Sequence, residues 1–167
     1  MRQGLDLSIK MVSIMVACVF AVSISEASRQ LEWSDLVPES WEPPIIAPAF
    51  DSELSEQVDP GSLVPELDNL VVSIPGYMKP IVFEGQLVSE FLLVPYLPHQ
   101  VSHHSHLDAN QRVYVSLVEG LLVENPFQPV WVMGTLSTDT MLTDEGPAGY
   151  KISGAEVAPY VTDSVNK

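Results

Sequence analysis

From Val88 to Tyr96 the chain reads VSEFLLVPY, and this stretch decides the fold class. Phe91, Leu92, Leu93 and Val94 are consecutive, so in an extended segment they project alternately to both faces. A short apolar run of this kind, stopped by Pro95, reads as a strand buried on both sides. Downstream, Arg112–Val118 (RVYVSLV) alternates, with Val113, Val115 and Leu117 inward and Arg112, Tyr114 and Ser116 opposite. Val130–Leu136 (VWVMGTL) is a further strand, with Gly134 expected as a bulge. Tyr150–Val157 closes the set after a turn expected at Gly146-Pro147. Upstream, Leu70–Ile74 is a strand running into Pro75-Gly76, read as a turn or bulge. Short strands separated by turn signals, with no long amphipathic helix, predict a mainly β fold: a small closed barrel or a sandwich.

The amino terminus reads as an export signal. Arg2 and Lys10 precede an apolar run from Met11 to Val22, and Ser25-Glu26-Ala27 follows as a small-x-small cleavage site. The run is shorter than the roughly 20 residues a bilayer span needs. Residues 1–27 are therefore expected to be a signal peptide cleaved after Ala27, with the mature protein in the periplasm. The competing reading is a lipoprotein anchored at Cys18, in Met15-Val16-Ala17-Cys18. It is weakened because apolar residues continue through Val19, Phe20, Ala21 and Val22. Cleavage after Ala27 removes Cys18, the only cysteine, and leaves no thiol for a disulfide or a metal.

The 167 residues carry 7 Lys+Arg against 22 Asp+Glu, a formal charge of −15. Arg2, Lys10, Asp6 and Glu26 leave together with the signal, so the mature charge is the same. Recognition of a phosphate backbone needs clustered basic residues, and here they are scattered. Nucleic acid and anionic lipid surfaces are thereby excluded as partners, whereas cations are favoured. Residues 28–69 form an acidic arm punctuated by Pro38, Pro43, Pro44, Pro48, Pro60 and Pro65. These prolines forbid a long helix. Single helical turns are expected at Leu31–Val37 and Phe50–Gln57, with Trp33 and Trp41 pinning the arm to the body. Residues 70–160 are the β domain and 161–167 a tail.

The same blocks resemble a known family. Trp33-Ser34-Asp35-Leu36-Val37-Pro38, Pro75-Gly76-Tyr77-Met78-Lys79-Pro80, Glu90–Tyr96, Asn110–Val115 and Pro129–Leu136 occur in the order seen in the secreted bacterial family called domain of unknown function 3299. The resemblance covers Trp33 to Tyr160. It implies an exported protein with a five-stranded OB-like barrel, often encoded near ABC-type export or metal-uptake components, with no established activity. One departure matters. Where the family has a Gly-Ala-Cys-x-His stretch and a proline run, this chain has Leu97–Ala109 with neither the cysteine nor the prolines. A thiol-based role therefore does not carry over.

That segment instead holds every histidine of the protein: His99, His103, His104 and His106. With Asp108 they supply enough donors for a tetrahedral divalent cation, and neutral imidazole suits zinc, copper and nickel. In an extended segment His104 and His106 share one face and His103 lies on the other, so the loop must turn to bring all of them to one ion. Two other readings stand beside metal binding: a solvated polar connection, and a pH-sensing loop whose imidazoles charge near pH 6.5 on an acidic body.

No catalytic arrangement is expected. Ser102 and Ser105 neighbour histidines but lie in no nucleophile elbow. Glu84, Glu90, Glu119 and Glu124 could in principle pair for acid–base work, but charges at strand edges and turns are usually solvated. Phe91, Tyr96, Tyr114 and Trp131 sit at strand spacing without basic neighbours, which favours core packing over base stacking. The expectation is an exported non-enzymatic protein that binds a divalent cation, zinc foremost, through His99–Asp108 as an accessory to metal uptake or an ABC transporter. The alternative is a periplasmic interaction module in which the acidic arm and a strand edge engage an envelope protein and the histidines are incidental.

Overall fold

The computed structural model describes residues 28–42, 58–59, 62–97, 107–125 and 128–160. The expected signal peptide, the turn at Phe50–Gln57, the four histidines and the tail lie outside the described residues. The strands are β1 (Arg29–Gln30), β2 (Val71–Glu84), β3 (Leu87–Val94), β4 (Val113–Leu122), β5 (Pro129–Ser137), β6 (Met141–Thr143), β7 (Gly146–Ala148) and β8 (Tyr150–Pro159). Five of them, in the order β2-β3-β4-β8-β5, form a barrel that closes where β5 pairs with β2. The pair β4–β8 is parallel and the other barrel pairs are antiparallel. Of the closed barrel or sandwich that the strand pattern predicts, the structure is the barrel, and its five mixed strands match the OB-like architecture that the family resemblance implies.

The long strand β2 makes closure possible. Its first half, Val71 to Tyr77, pairs with β5, and its second half, Tyr77 to Glu84, pairs with β3. The expectation that Pro75-Gly76 ends the strand is therefore corrected: the strand runs straight through it. The physical reason is the direction of the missing donor. Ser73 O accepts the Leu31 N–H at 2.9 Å, and Pro75 O accepts the Trp33 indole N–H at 2.7 Å, so odd residues of β2 face the arm. A strand residue sends its N–H and C=O to the same side, so proline at position 75 removes nothing from the β5 ladder. Gly76 is buried, and a Cβ there would sit 2.8 Å from the Val94 carbonyl oxygen.

The inward faces bring Val72, Ile74, Phe91, Leu93, Val113, Val115, Val132, Leu136, Tyr150 and Ile152 into one core. The bulge expected at Gly134 is corrected: the β5–β8 register slips there, but the extra residue belongs to β8, where Gly154 and Ala155 together oppose Gly134, while β5 pairs with β2 without interruption. A Cβ at Gly134 would lie 2.5 Å from the Ile152 Cγ2, so glycine is required for β8 to approach. A third correction concerns Gly146-Pro147. These residues form β7, paired with β6 in a small hairpin, and the turn itself is at Asp144-Glu145.

The arm joins this core. Leu31 and Leu36 are fully buried and Trp33 packs beside them, on a 3-10 turn spanning Trp33–Leu36. Asp35 Oδ2 accepts the Glu32 N–H at 2.8 Å and so satisfies a donor at the start of that turn. Burial of each leucine stabilises the native state by about 2 kcal/mol. Pinning by Trp33 is as expected, and Trp41 is half-buried. Among the described residues no helix is long and apolar enough to cross a membrane.

Candidate functional site on the outer face of the barrel

Alternation along β2, β3 and β4 sends a second set of side chains away from the core. Leu92, Val94, Tyr114 and Ala148 form a separate buried cluster, with Tyr77, Ile81, Leu107 and Met141 packed against it. Register explains the grouping: Lys79, Leu92 and Tyr114 lie in one row across the sheet, and Tyr77 pairs with Val94 in the next. The β6–β7 hairpin contributes Met141 and Ala148, so it lies over this outer face. This is why FLLV is buried on both sides: Phe91 and Leu93 face the barrel core, Leu92 and Val94 the hairpin.

Charged groups from four segments ring the cluster. Lys79 Nζ donates to Glu145 Oε2 at 2.5 Å, tying β2 to the hairpin turn. Arg112 Nη1 donates to the Pro147 carbonyl at 3.2 Å. Burial lowers the Arg112 guanidinium from its ordinary value, while the charges of Asp108 and Glu145 act in the opposite direction. Tyr114 donates its hydroxyl proton to Glu90 Oε2. Burial, then the hydrogen bond to Glu90 and its charge, push the Tyr114 hydroxyl up to about 12. At neutral pH the phenol keeps its proton, and the pair orients the two side chains instead of exchanging protons between them.

Of the five residues singled out as metal donors, only Asp108 is a described residue, while His99, His103, His104 and His106 are not. Among the described residues no group of three or more His, Cys, Asp or Glu side chains is placed to hold a metal ion. The residues that flank the histidine segment are packed against the body. Leu97 is buried, and Leu107 packs on the outer cluster. Asp108 O accepts the Gln111 N–H at 3.0 Å at the start of a 3-10 turn over Ala109–Gln111. Within that turn Asn110 is fully buried and its Nδ2 donates to the Ser62 carbonyl at 3.1 Å, while Ala109 O accepts the Gly149 N–H at 2.8 Å. The segment thus re-enters the barrel at a point held by the arm and by the β7–β8 connection.

Sequence reasoning missed the ring formed by Lys79, Arg112 and Glu145. Residues 79 and 145 are 66 positions apart, and no local pattern signals such a pair. Tyr114 was read as core packing. It is buried, but on the outer face, with its hydroxyl committed to Glu90. The alternation of RVYVSLV already placed it opposite Val113 and Val115. Glu84, Glu119 and Glu124 are exposed, as expected.

Comparison with known proteins places residues 33–159 within DUF3299, described as a protein of unknown function. The crystal structure of a DUF3299 family protein from Pseudomonas aeruginosa PAO1 is similar, with 32% sequence identity and a TM-score of 0.66. The similarity covers 83% of this chain and 99% of that one. No curated protein matches the chain.

Proposed function

This chain belongs to the DUF3299 family, and from that premise we propose that it is an exported, non-enzymatic protein that binds a divalent cation, zinc foremost, through the segment His99–Asp108. The observation that carries this reading is the anchoring of the segment at both ends, by buried Leu97 before it and by Leu107 and the Ala109–Gln111 turn after it. Fixed ends lower the entropy lost when imidazoles converge on one ion. Asp108 lies in the field of Arg112, so the four imidazoles are the principal donors and the carboxylate a supplementary one. A body of net charge −15 raises the local concentration of cations. The genomic company implied by the family resemblance fits an accessory of metal uptake or of an ABC transporter in the periplasm, delivered there by cleavage after Ala27.

Calorimetry on the chain beginning at Ser28, with Zn²⁺, Cu²⁺ and Ni²⁺, tests this reading. Zn²⁺ is expected to bind and to raise the melting temperature by mass action on the native state. Affinity is expected to fall as pH drops through about 6.5, where protons compete for ring nitrogens. The double variant His104→Ala with His106→Ala should lose most of the binding heat and keep the metal-free melting temperature. Equal heats from both proteins, or none from either, would overturn the assignment. Mass spectrometry of envelope protein tests export: a mature terminus at Ser28 is expected, and a lipid-modified Cys18 would overturn it.

A further inference from the structure

The β2–β3–β4 meander runs past the closed part of the barrel. On its far side β4 pairs with β8 only from Val113 to Ser116, after which Gly154, at φ 64, turns β8 away. Beyond that point the outer face carries Val82, Leu87, Val118 and Leu122. They are one surface. Leu87 pairs directly with Leu122. Leu87 also lies over Gly120, where a Cβ would meet its Cγ at 2.7 Å, and Val118, Gly120 and Leu122 share one face of β4 by alternation. Val82 pairs with Glu90, which pairs with Ser116, on that same face. Val118 is 84% exposed, Leu122 70%, Val82 46% and Leu87 43%. Single exposed aliphatics are ordinary, but four adjoining ones on a sheet face mark a contact surface.

We propose that this face docks a basic amphipathic segment of a partner protein. Charge selects the occupant. Glu84 lies in the Leu87–Leu122 row and Glu124 follows the end of β4; both are exposed. No Lys or Arg lies between Ile81 and Ser89 or between Val113 and Asn125. An apolar strip with an acidic rim matches a segment carrying leucine-like side chains flanked by Lys or Arg. A second copy of this chain is disfavoured, because a two-fold contact brings the patch and its acidic rim onto themselves. Anionic lipid is disfavoured by the same carboxylates.

The test uses the chain beginning at Ser28 and, as probe, a synthetic amphipathic peptide of Leu and Lys, titrated by fluorescence anisotropy. Wild type is expected to bind it, and Val118→Lys with Leu122→Lys to weaken binding at least tenfold. Both positions are exposed, so the circular dichroism and melting temperature of that variant should be unchanged. Glu84→Lys with Glu124→Lys should weaken binding and flatten its salt dependence, because rim charges act through the screened field. A matched peptide of Leu and Glu should not bind. Equal binding by wild type and the Val118/Leu122 variant, or binding of the acidic peptide, would overturn the proposal. So would a dimer in sedimentation that these two lysines abolish, or adsorption to anionic phosphatidylserine vesicles, since each assigns the face to another occupant.

Discussion

The buried Tyr150 hydroxyl donates to the Leu36 carbonyl oxygen at 2.8 Å, and the same oxygen atom of Tyr150 accepts the Val64 N–H at 2.7 Å. One phenol at the start of β8 therefore satisfies two backbone groups from separate pieces of the acidic arm. Among the described residues of the arm the backbone forms only single turns and a two-residue strand, and at Leu36 and Val64 a side chain from the barrel supplies the hydrogen-bond partner.

Tyr150→Phe keeps the ring in the core and removes only the oxygen. It leaves the Leu36 carbonyl and the Val64 N–H without this partner, and the expected loss is about 2–4 kcal/mol. Urea unfolding measures it as a lower midpoint with an unchanged slope. A midpoint equal to wild type would mean that the arm does not depend on this contact.

Alkaline pH should destabilise the fold. Burial raises the Tyr150 hydroxyl above its ordinary value, and Tyr114 is pushed up to about 12. A raised folded-state value favours the protonated form, so the stability it contributes is complete below the unfolded value of about 10. It is lost as pH rises from there through the folded values. Unfolding midpoints should therefore fall between about pH 10 and pH 12, and the fall should be shallower in Tyr114→Phe. An identical pH profile in the variant would contradict the role given to the Tyr114–Glu90 pair.

The two faces of β3 can be tested separately. Phe91 fills the barrel core, and Phe91→Ala is expected to cost about 3–5 kcal/mol. Leu92 fills the cluster beneath the hairpin, and Leu92→Asp puts a carboxylate in place of that apolar side chain, at an expected cost of several kcal/mol even with Lys79 across from it. If thermal unfolding of Leu92→Asp matched wild type, the outer cluster would not be a packed layer.

Opposite the β8 bulge, Gly134→Ala should be destabilising by about 1–3 kcal/mol, because the added methyl group meets buried Ile152. The paired variant Gly134→Ala with Ile152→Ala removes Cγ2, the atom it meets, and should cost less than the sum of the two single changes. Denaturant unfolding of the three variants and wild type completes the cycle. Strict additivity of the two single changes would disprove the contact.

Much of the barrel was legible because its signals are local. Period-two alternation in RVYVSLV separated Val113 and Val115 from Tyr114, and the unbroken FLLV run announced a strand covered on both faces. Gly134 was read as a bulge in β5; the register does slip beside it, but the extra residue lies across from it in β8, which no feature of β5 announces. Two turn signals misled. Pro75 was read by its missing donor, yet its position in β2 turns that side toward Trp33 and the arm, where no ladder N–H is needed. Gly146-Pro147 was read as a turn, whereas the chain reverses just before it and uses both residues in β7.

The sequence by itself determined the β class, the strand faces, the acidity that repels polyanions and the clustering of all histidines between β3 and β4. Tertiary structure decided what joins what. The parallel β4–β8 pair, the β2–β5 closure and the docking of the arm beneath Tyr150 all link residues far apart in the chain. So do the charged ring of Lys79, Arg112 and Glu145 and the bare strip of Val82, Leu87, Val118 and Leu122. Alternation tells which side of a strand a residue occupies, because that follows from the backbone of the strand alone. Whether that side is covered depends on which other segment packs against it: a hairpin covers Leu92 and Tyr114, while farther along the same face Val118 and Leu122 stay exposed.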